Sequence, residues 1–160
     1  MEVRLEEEIA DLLREHGLTI AVAESASGGL LSDVITNVPG SSDYFRGSVV
    51  AYENEIKVRV LGVKRETLAR YGAVSYQTAE EMAYGVRRLM NANIGLSTTG
   101  IAGPAGATPE KAVGLFYIGM STDAGTRVEE HLFSGDRLEN KRRAAETALA
   151  MLKQHLLELG

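Results

Sequence analysis

Leu18-Thr19-Ile20-Ala21-Val22-Ala23-Glu24-Ser25-Ala26-Ser27-Gly28-Gly29-Leu30-Leu31 is the stretch on which the fold turns. The apolar run from Leu18 to Ala23 reads as a buried strand, and Leu30, Leu31, Val34, Ile35 and Val38 then recur at the spacing of one helix face. Ser25 therefore falls at a strand-to-helix junction. The first N–H groups of a helix are unpaired and carry the positive end of its dipole, so negative charge is stabilised there. Gly28 and Gly29 let a substrate approach the backbone closely. The same residues also fit a plain structural role, with Ser27 capping the helix and the glycines making a tight turn.

Working outward, Leu5, Ile9, Leu12 and Leu13 form one face of a preceding helix that Gly17 is placed to end. Downstream, Pro39-Gly40-Ser41-Ser42 closes the Leu30 helix, and Phe45 to Tyr52 reads as a strand. Asn54 is then a good N-cap for a helix carrying Ile56, Val58, Val60 and Leu61, with Gly62 as its stop. A short helix over Glu66 to Tyr71 ends at Gly72, and Ser75 caps a longer one with Ala79, Met82, Ala83, Val86, Leu89 and Met90 in helical period. Ile94 to Thr99 is a buried strand, and the small residues from Gly100 to Ala107 make a loop. Val113 to Ser121 and Thr126 to Ser134 alternate as a hairpin around Asp123-Ala124-Gly125. A last helix from about Asp136 to Leu159 buries Ala144, Ala145, Ala148, Leu149, Leu152 and Leu156.

Alternating strands and helices imply right-handed crossovers and a largely parallel sheet covered on both faces, made mixed by the terminal hairpin. Ligands in such sheets sit beyond the carboxyl ends of the strands. Three loops follow strand ends: Glu24 to Gly29, Glu53 to Lys57, and Gly100 to Thr108.

The 160 residues, 44% of them hydrophobic, suffice for one core and are expected to form one domain, residues 1–160. A net charge of -5 argues against nucleic acid as a partner, and the absence of cysteine removes thiol chemistry. With no signal-like start and no membrane-length apolar run, a soluble, cytoplasmic protein is expected, with no membrane partner. The subunit number stays open, a homo-oligomer included.

The common catalytic signatures are missing. There is no Gly-x-Ser-x-Gly elbow, phosphate-binding Gly-rich loop or dinucleotide fingerprint, and His16, His131 and His155 have no metal-ligand spacing. A serine nucleophile without a histidine needs another base, and a lysine serves if its pKa falls toward neutrality. Lys57 is the best candidate. As the third residue after its cap it sits at the positive end of a helix dipole, which favours the neutral amine, and Tyr52 is nearby. A solvated lysine in a first helix turn is the plainer alternative. Glu110-Lys111 offers an ionic pair in the third loop, and Arg137 opens the last helix.

Taken together, Ala23-Glu24-Ser25-Ala26-Ser27-Gly28-Gly29, Pro39-Gly40-Ser41-Ser42, Tyr52-Glu53-Asn54-Glu55-Ile56-Lys57, Gly72-Ala73-Val74-Ser75, Thr99-Gly100-Ile101-Ala102-Gly103-Pro104, Thr108-Pro109-Glu110-Lys111 and Phe133-Ser134-Gly135-Asp136-Arg137 resemble the CinA C-terminal domain family, over nearly the whole chain. The resemblance implies a three-layer α/β/α sandwich with a mixed, mainly parallel sheet. It also implies deamidation of nicotinamide mononucleotide to nicotinic acid mononucleotide and ammonia, with no metal or other cofactor. On this resemblance Ser25 and Lys57 are the catalytic dyad and Tyr52 has an assisting role. Ser27, Gly28, Gly29, Thr99, Gly100 and Arg137 then contact substrate, with backbone N–H groups near Ser27 to Gly29 holding the oxyanion. Ser27 stands where the family usually has threonine, and Ala107 and Ala112 replace a common glycine and proline, changes that bear on the substrate wall. A non-catalytic nucleotide- or partner-binding module of the same fold is the alternative function.

Overall fold

The computed structural model describes residues 2–160. Its centre is a five-stranded sheet in the order β2-β1-β3-β4-β5, with β1 Ile20–Glu24, β2 Phe45–Val50, β3 Ile94–Gly100, β4 Leu115–Thr122 and β5 Gly125–Leu132. β1 pairs in parallel with both β2 and β3, while β4 pairs antiparallel with β3 and β5. Only β4 is reversed, so the sheet is mixed and mainly parallel in direction. The helices are α1 Leu5–His16, α2 Leu30–Thr36, α3 Asn54–Leu61, α4 Arg65–Tyr71, α5 Tyr76–Leu89 and α6 Arg137–Glu158.

Strand alternation sends Ile20 and Val22 into a core with Leu31 and Ile35 of α2, Leu13 of α1 and Leu149 and Leu152 of α6. Ala21 and Ala23 point the other way, into a second core with Leu61 of α3 and Met82 and Val86 of α5. These two cores make the three layers. Strand glycines let α5 settle close to the sheet: a Cβ on Gly95 would lie 2.2 Å from the Ala83 carbonyl oxygen, and one on Gly119 2.7 Å from that of Ala79. Gly17 ends α1 in the left-handed conformation (φ 64°), Ser75 caps α5 by accepting from the Thr78 N–H, and Asp136 caps α6 by accepting from that of Glu139, each as the residue types predict.

The topology also fixes where a site belongs. The chain leaves β1 through α2 on one face to reach β2, then crosses through α3, α4 and α5 on the other face to reach β3. Connections diverge at the carboxyl end of β1, the place where open sheets of this kind ordinarily receive ligands. Ser25 is the first residue beyond that end. No helix among the described residues is long and apolar enough to cross a membrane.

Candidate active site

Ser25 continues the β1 ladder by one bond, its N–H donating to the Thr98 carbonyl at 3.0 Å. The alternation that sends Ala21 and Ala23 toward α3 extends to Ser25, which is 8% exposed. Lys57 arrives from the neighbouring parallel strand. β2 is in register with β1 to Glu24↔Val50, and the Ala51 N–H donates to the Glu24 carbonyl at 2.7 Å, so the chains leaving β1 and β2 start side by side. On α3 the two buried residues are Lys57 and Leu61, one turn apart, and Leu61 packs with Ala21, Ala23 and Ala51. Lys57 therefore faces inward over the same small side chains, and among the described residues no hydrogen bond joins it to the Ser25 hydroxyl.

α3 begins at Asn54 with Glu53 in the capping position, so Asn54 is not the cap and Lys57 is the fourth helical residue. Lys57 is 1% exposed, and its ammonium donates to the Tyr52 carbonyl at 3.1 Å. No carboxylate lies within ion-pair reach of it among the described residues. Burial brings its pKa from the ordinary 10.5 down to about 8. The partner of Lys57 is thus the Tyr52 backbone. The Tyr52 ring is 62% exposed, and its hydroxyl accepts from Arg137 at 3.2 Å.

The most heavily bonded group beside Ser25 is one to which sequence reasoning gave no role. The Glu24 side chain points to the α2 face and is fully buried. Oε1 accepts from the Ser27 hydroxyl (2.6 Å) and from the N–H groups of Gly29 (3.2 Å) and Leu31 (3.0 Å). Oε2 accepts from the N–H (2.9 Å) and hydroxyl (2.6 Å) of Ser32. Since the Ser27 proton goes to Glu24, the 2.5 Å contact between Ser27 and Thr98 has Thr98 donating. The N-terminus of α2 is therefore filled by a carboxylate of the protein itself.

This rearranges several expected roles. Ser27 does not cap α2; it is fully buried, with its hydroxyl held by Glu24 and Thr98. The Gly29 N–H is taken by Glu24, and that of Gly28 donates to the Ser25 carbonyl, so neither is an oxyanion donor. Among the described residues the unengaged N–H groups of this turn are those of Ala26 and Ser27. Thr99 is buried and donates to the Ala73 carbonyl at 2.8 Å, bracing the loop before α5. Gly100 is glycine for packing: a Cβ there would lie 2.3 Å from the Phe116 ring. Lys111 donates to the Tyr71 carbonyl rather than pairing with Glu110.

The front of α6 reaches over the loops beyond the strand ends. Arg137 donates to the Gly103 carbonyl at 2.8 Å as well as to Tyr52, and the buried Asn140 donates to the carbonyls of Ala102 (3.1 Å) and Gly135 (3.0 Å). Among the described residues no three His, Cys, Asp or Glu side chains gather in a metal-holding group. The arrangement is suited to acyl transfer, with a hydroxyl just beyond a strand end, a buried amine of lowered pKa on the adjoining helix, and two open N–H groups beside the hydroxyl.

Comparison with known proteins agrees with this architecture. The CinA C-terminal domain matches residues 2–156. A putative competence-damage inducible protein of Thermoanaerobacter sp. (strain X514) is 51% identical over 98% of this chain and 38% of its own length. A CinA-like protein of Dictyoglomus thermophilum is 51% identical over 99% of this chain and 38% of its own. The chain thus spans well under half of these relatives. Among solved structures, the competence or damage-inducible protein of Enterobacter asburiae superposes with a TM-score of 0.92 at 34% identity, covering 95% of this chain and 96% of that one. The CinA superfamily protein KP700603 of Klebsiella pneumoniae superposes with 0.93 at 28% identity, covering 96% of each. By sequence over almost its full length and by the order and pairing of its strands, this chain belongs to the CinA C-terminal domain family.

Proposed function

We propose that this chain is an amidohydrolase that converts nicotinamide mononucleotide to nicotinic acid mononucleotide and ammonia through a Ser25–Lys57 dyad. The observation that carries the reading is Lys57: an inward-facing lysine, 1% exposed, with one carbonyl acceptor and a pKa near 8. Burying an ammonium without a carboxylate is unfavourable, and a structural role would be better filled by an apolar side chain of the same length. As a general base, by contrast, an amine of this pKa has a useful neutral fraction near neutrality.

In this reading Ser25 Oγ attacks the amide carbon while Lys57 takes its proton. The oxyanion of the tetrahedral intermediate accepts from the N–H groups of Ala26 and Ser27. Lys57 then returns the proton to the departing nitrogen, ammonia leaves, and an ester to Ser25 remains. Water, deprotonated by Lys57, attacks that ester, and the proton passes back to Ser25 as the carboxylate product forms. Arg137, Tyr52 and Asn140 hold the loops around this centre.

The test is ammonia release from nicotinamide mononucleotide by the purified protein, with and without chelator. Release that Ser25→Ala abolishes and chelator leaves unchanged supports the reading. Tight binding of the nucleotide with no ammonia released would replace it with a binding module of the same fold.

A further inference from the structure

α6 brings a second cation to this end of the sheet besides Arg137. Lys141, half-buried and one turn along from Arg137, projects toward the loop after β1: its ammonium lies 3.5 Å from where a Cβ on Gly28 would stand. Gly28 has φ 64°, a left-handed conformation that glycine takes without strain, and a Cβ there would stand in ordinary van der Waals contact with the lysine. Lys141 makes no hydrogen bond or ion pair among the described residues. Its helical neighbours at i±3 and i±4 are Arg137, Leu138, Ala144 and Ala145, none of them acidic. Of the other cations of α6, Arg143 pairs with Glu139 and Lys153 with Glu8, while the exposed Arg142 pairs with no acid among the described residues.

The position has a further meaning because the usual anion seat beside it is closed. A strand-to-helix junction ordinarily receives an anion on the helix N–H groups, but those at the start of α2 already bond Glu24. An anionic ligand entering at Ser25 meets its positive charge on α6 instead. We propose that Lys141, with Arg137 beside it, is the seat for the phosphate of the substrate, a 5′-phosphorylated ribonucleoside amide. This rests on the amidase reading of Ser25 and Lys57. In such a substrate the amide and the phosphate lie at opposite ends with the ribose between, so the seat belongs apart from the reacting bond. The front of α6 belongs to the face of the sheet opposite that of α3 and Lys57: Arg137 and Asn140 tie it to the loops after β2 and β3, and Lys141 overhangs the loop after β1.

The experiment compares nicotinamide mononucleotide with nicotinamide riboside, which lacks the phosphate, on wild type, Lys141→Ala and Lys141→Arg, with inorganic phosphate as competitor. Lys141→Ala should raise KM for the mononucleotide about tenfold or more, as expected for losing one charge-assisted contact, with kcat little changed. It should leave KM for the riboside unchanged and weaken inhibition by phosphate, and Lys141→Arg should restore most of the loss. A KM that moves equally for both substrates, or for neither, overturns the proposal. Should wild type release ammonia from neither substrate, the amidase reading fails separately. Calorimetric titration with inorganic phosphate then decides the seat: weaker binding to Lys141→Ala upholds it, and equal binding overturns it. Thermal melts of each variant confirm that the fold is kept.

Discussion

Two short helices, α2 and α3, begin beyond the ends of neighbouring strands, and each has a buried charged side chain close to its first turn. At α2 the charge is Glu24, an anion at the positive end of a dipole, satisfied by five donors from three residues' N–H groups and two hydroxyls. At α3 it is Lys57, a cation at the wrong end of its dipole, with a single carbonyl to receive it. The first arrangement has every polar atom answered and is a fastening. The second leaves a charge poorly solvated, and relief comes from losing a proton, which is what a base must do. On the proposed reading, stability and reactivity are thus divided between two adjacent helix starts.

The sharpest way to break this comparison is Lys57→Met. Turnover should fall by about a thousandfold or more, the scale of losing a general base, while stability at pH 7 should rise by on the order of 1 kcal/mol as an unpaired buried cation is removed. A variant that loses both activity and stability would make Lys57 a structural residue. Lys57→Arg should be as inactive, because guanidinium stays protonated.

Glu24→Gln should act in the opposite sense, lowering stability by about 2–4 kcal/mol, because one oxygen becomes an NH2 facing donors. The expected readout is a clear drop in denaturation midpoint. A midpoint equal to wild type would show that the donors around Glu24 are easily resatisfied.

The pH dependence follows from the lowered pKa. With Lys57 as base, kcat/KM should rise with pH and level off above about 8. For stability, the unfolded lysine keeps its proton up to 10.5 while the folded one releases it near 8, so the unfolded state binds more protons between those values. Wild-type stability should therefore gain from Lys57 as pH rises through that window, and the advantage of Lys57→Met should shrink across it. Urea melts of both proteins at pH 7 and pH 10 measure this directly. Ser32→Ala is the mildest case: it removes the hydroxyl donor to Oε2 but keeps the N–H, and should cost about 1 kcal/mol.

The comparison also marks how far the sequence could be read. The place of Lys57 was legible because its spacing from the preceding strand and its position after Glu53-Asn54 already put an amine in a first helix turn; the cap was misassigned by one residue, and the burial that lowers its pKa was not legible. The five strands and six α-helices were legible from apolar periodicity and turn residues, with boundaries shifted by a few residues, because the two cores draw on residues at regular helical or strand spacing; the 3-10 turn Ser41–Asp43 was read only as part of a stop. Glu24 was not legible. Capping patterns look for a hydroxyl or acid just before the helix, whereas Glu24 reaches α2 from the preceding strand, five to eight residues upstream of the N–H groups it bonds. Ser27 drew the cap reading for the same reason. Thr99 and Gly100 were read as lining a substrate, yet their roles at Ala73 and Phe116 depend on segments far away in sequence. Lys141 carried one local signal, a helical lysine without an acid at i±3 or i±4.

The bridging of three loops by the front of α6 also has a consequence in time. Ser25 and Lys57 are both synthesised before residue 58, and the parallel strands β1, β2 and β3 are complete by Gly100. The residues that tie their outgoing loops together, Arg137, Asn140 and Lys141, come later in the chain and reach back to Tyr52, Ala102, Gly103 and Gly28. Until α6 is made, the core that Ile20 and Val22 share with Leu149 and Leu152 is incomplete, and the loops beyond the strands are not yet joined. The loops around Ser25 are tied together only when α6 docks on α1 and α2, a step that waits on residues made after the whole sheet.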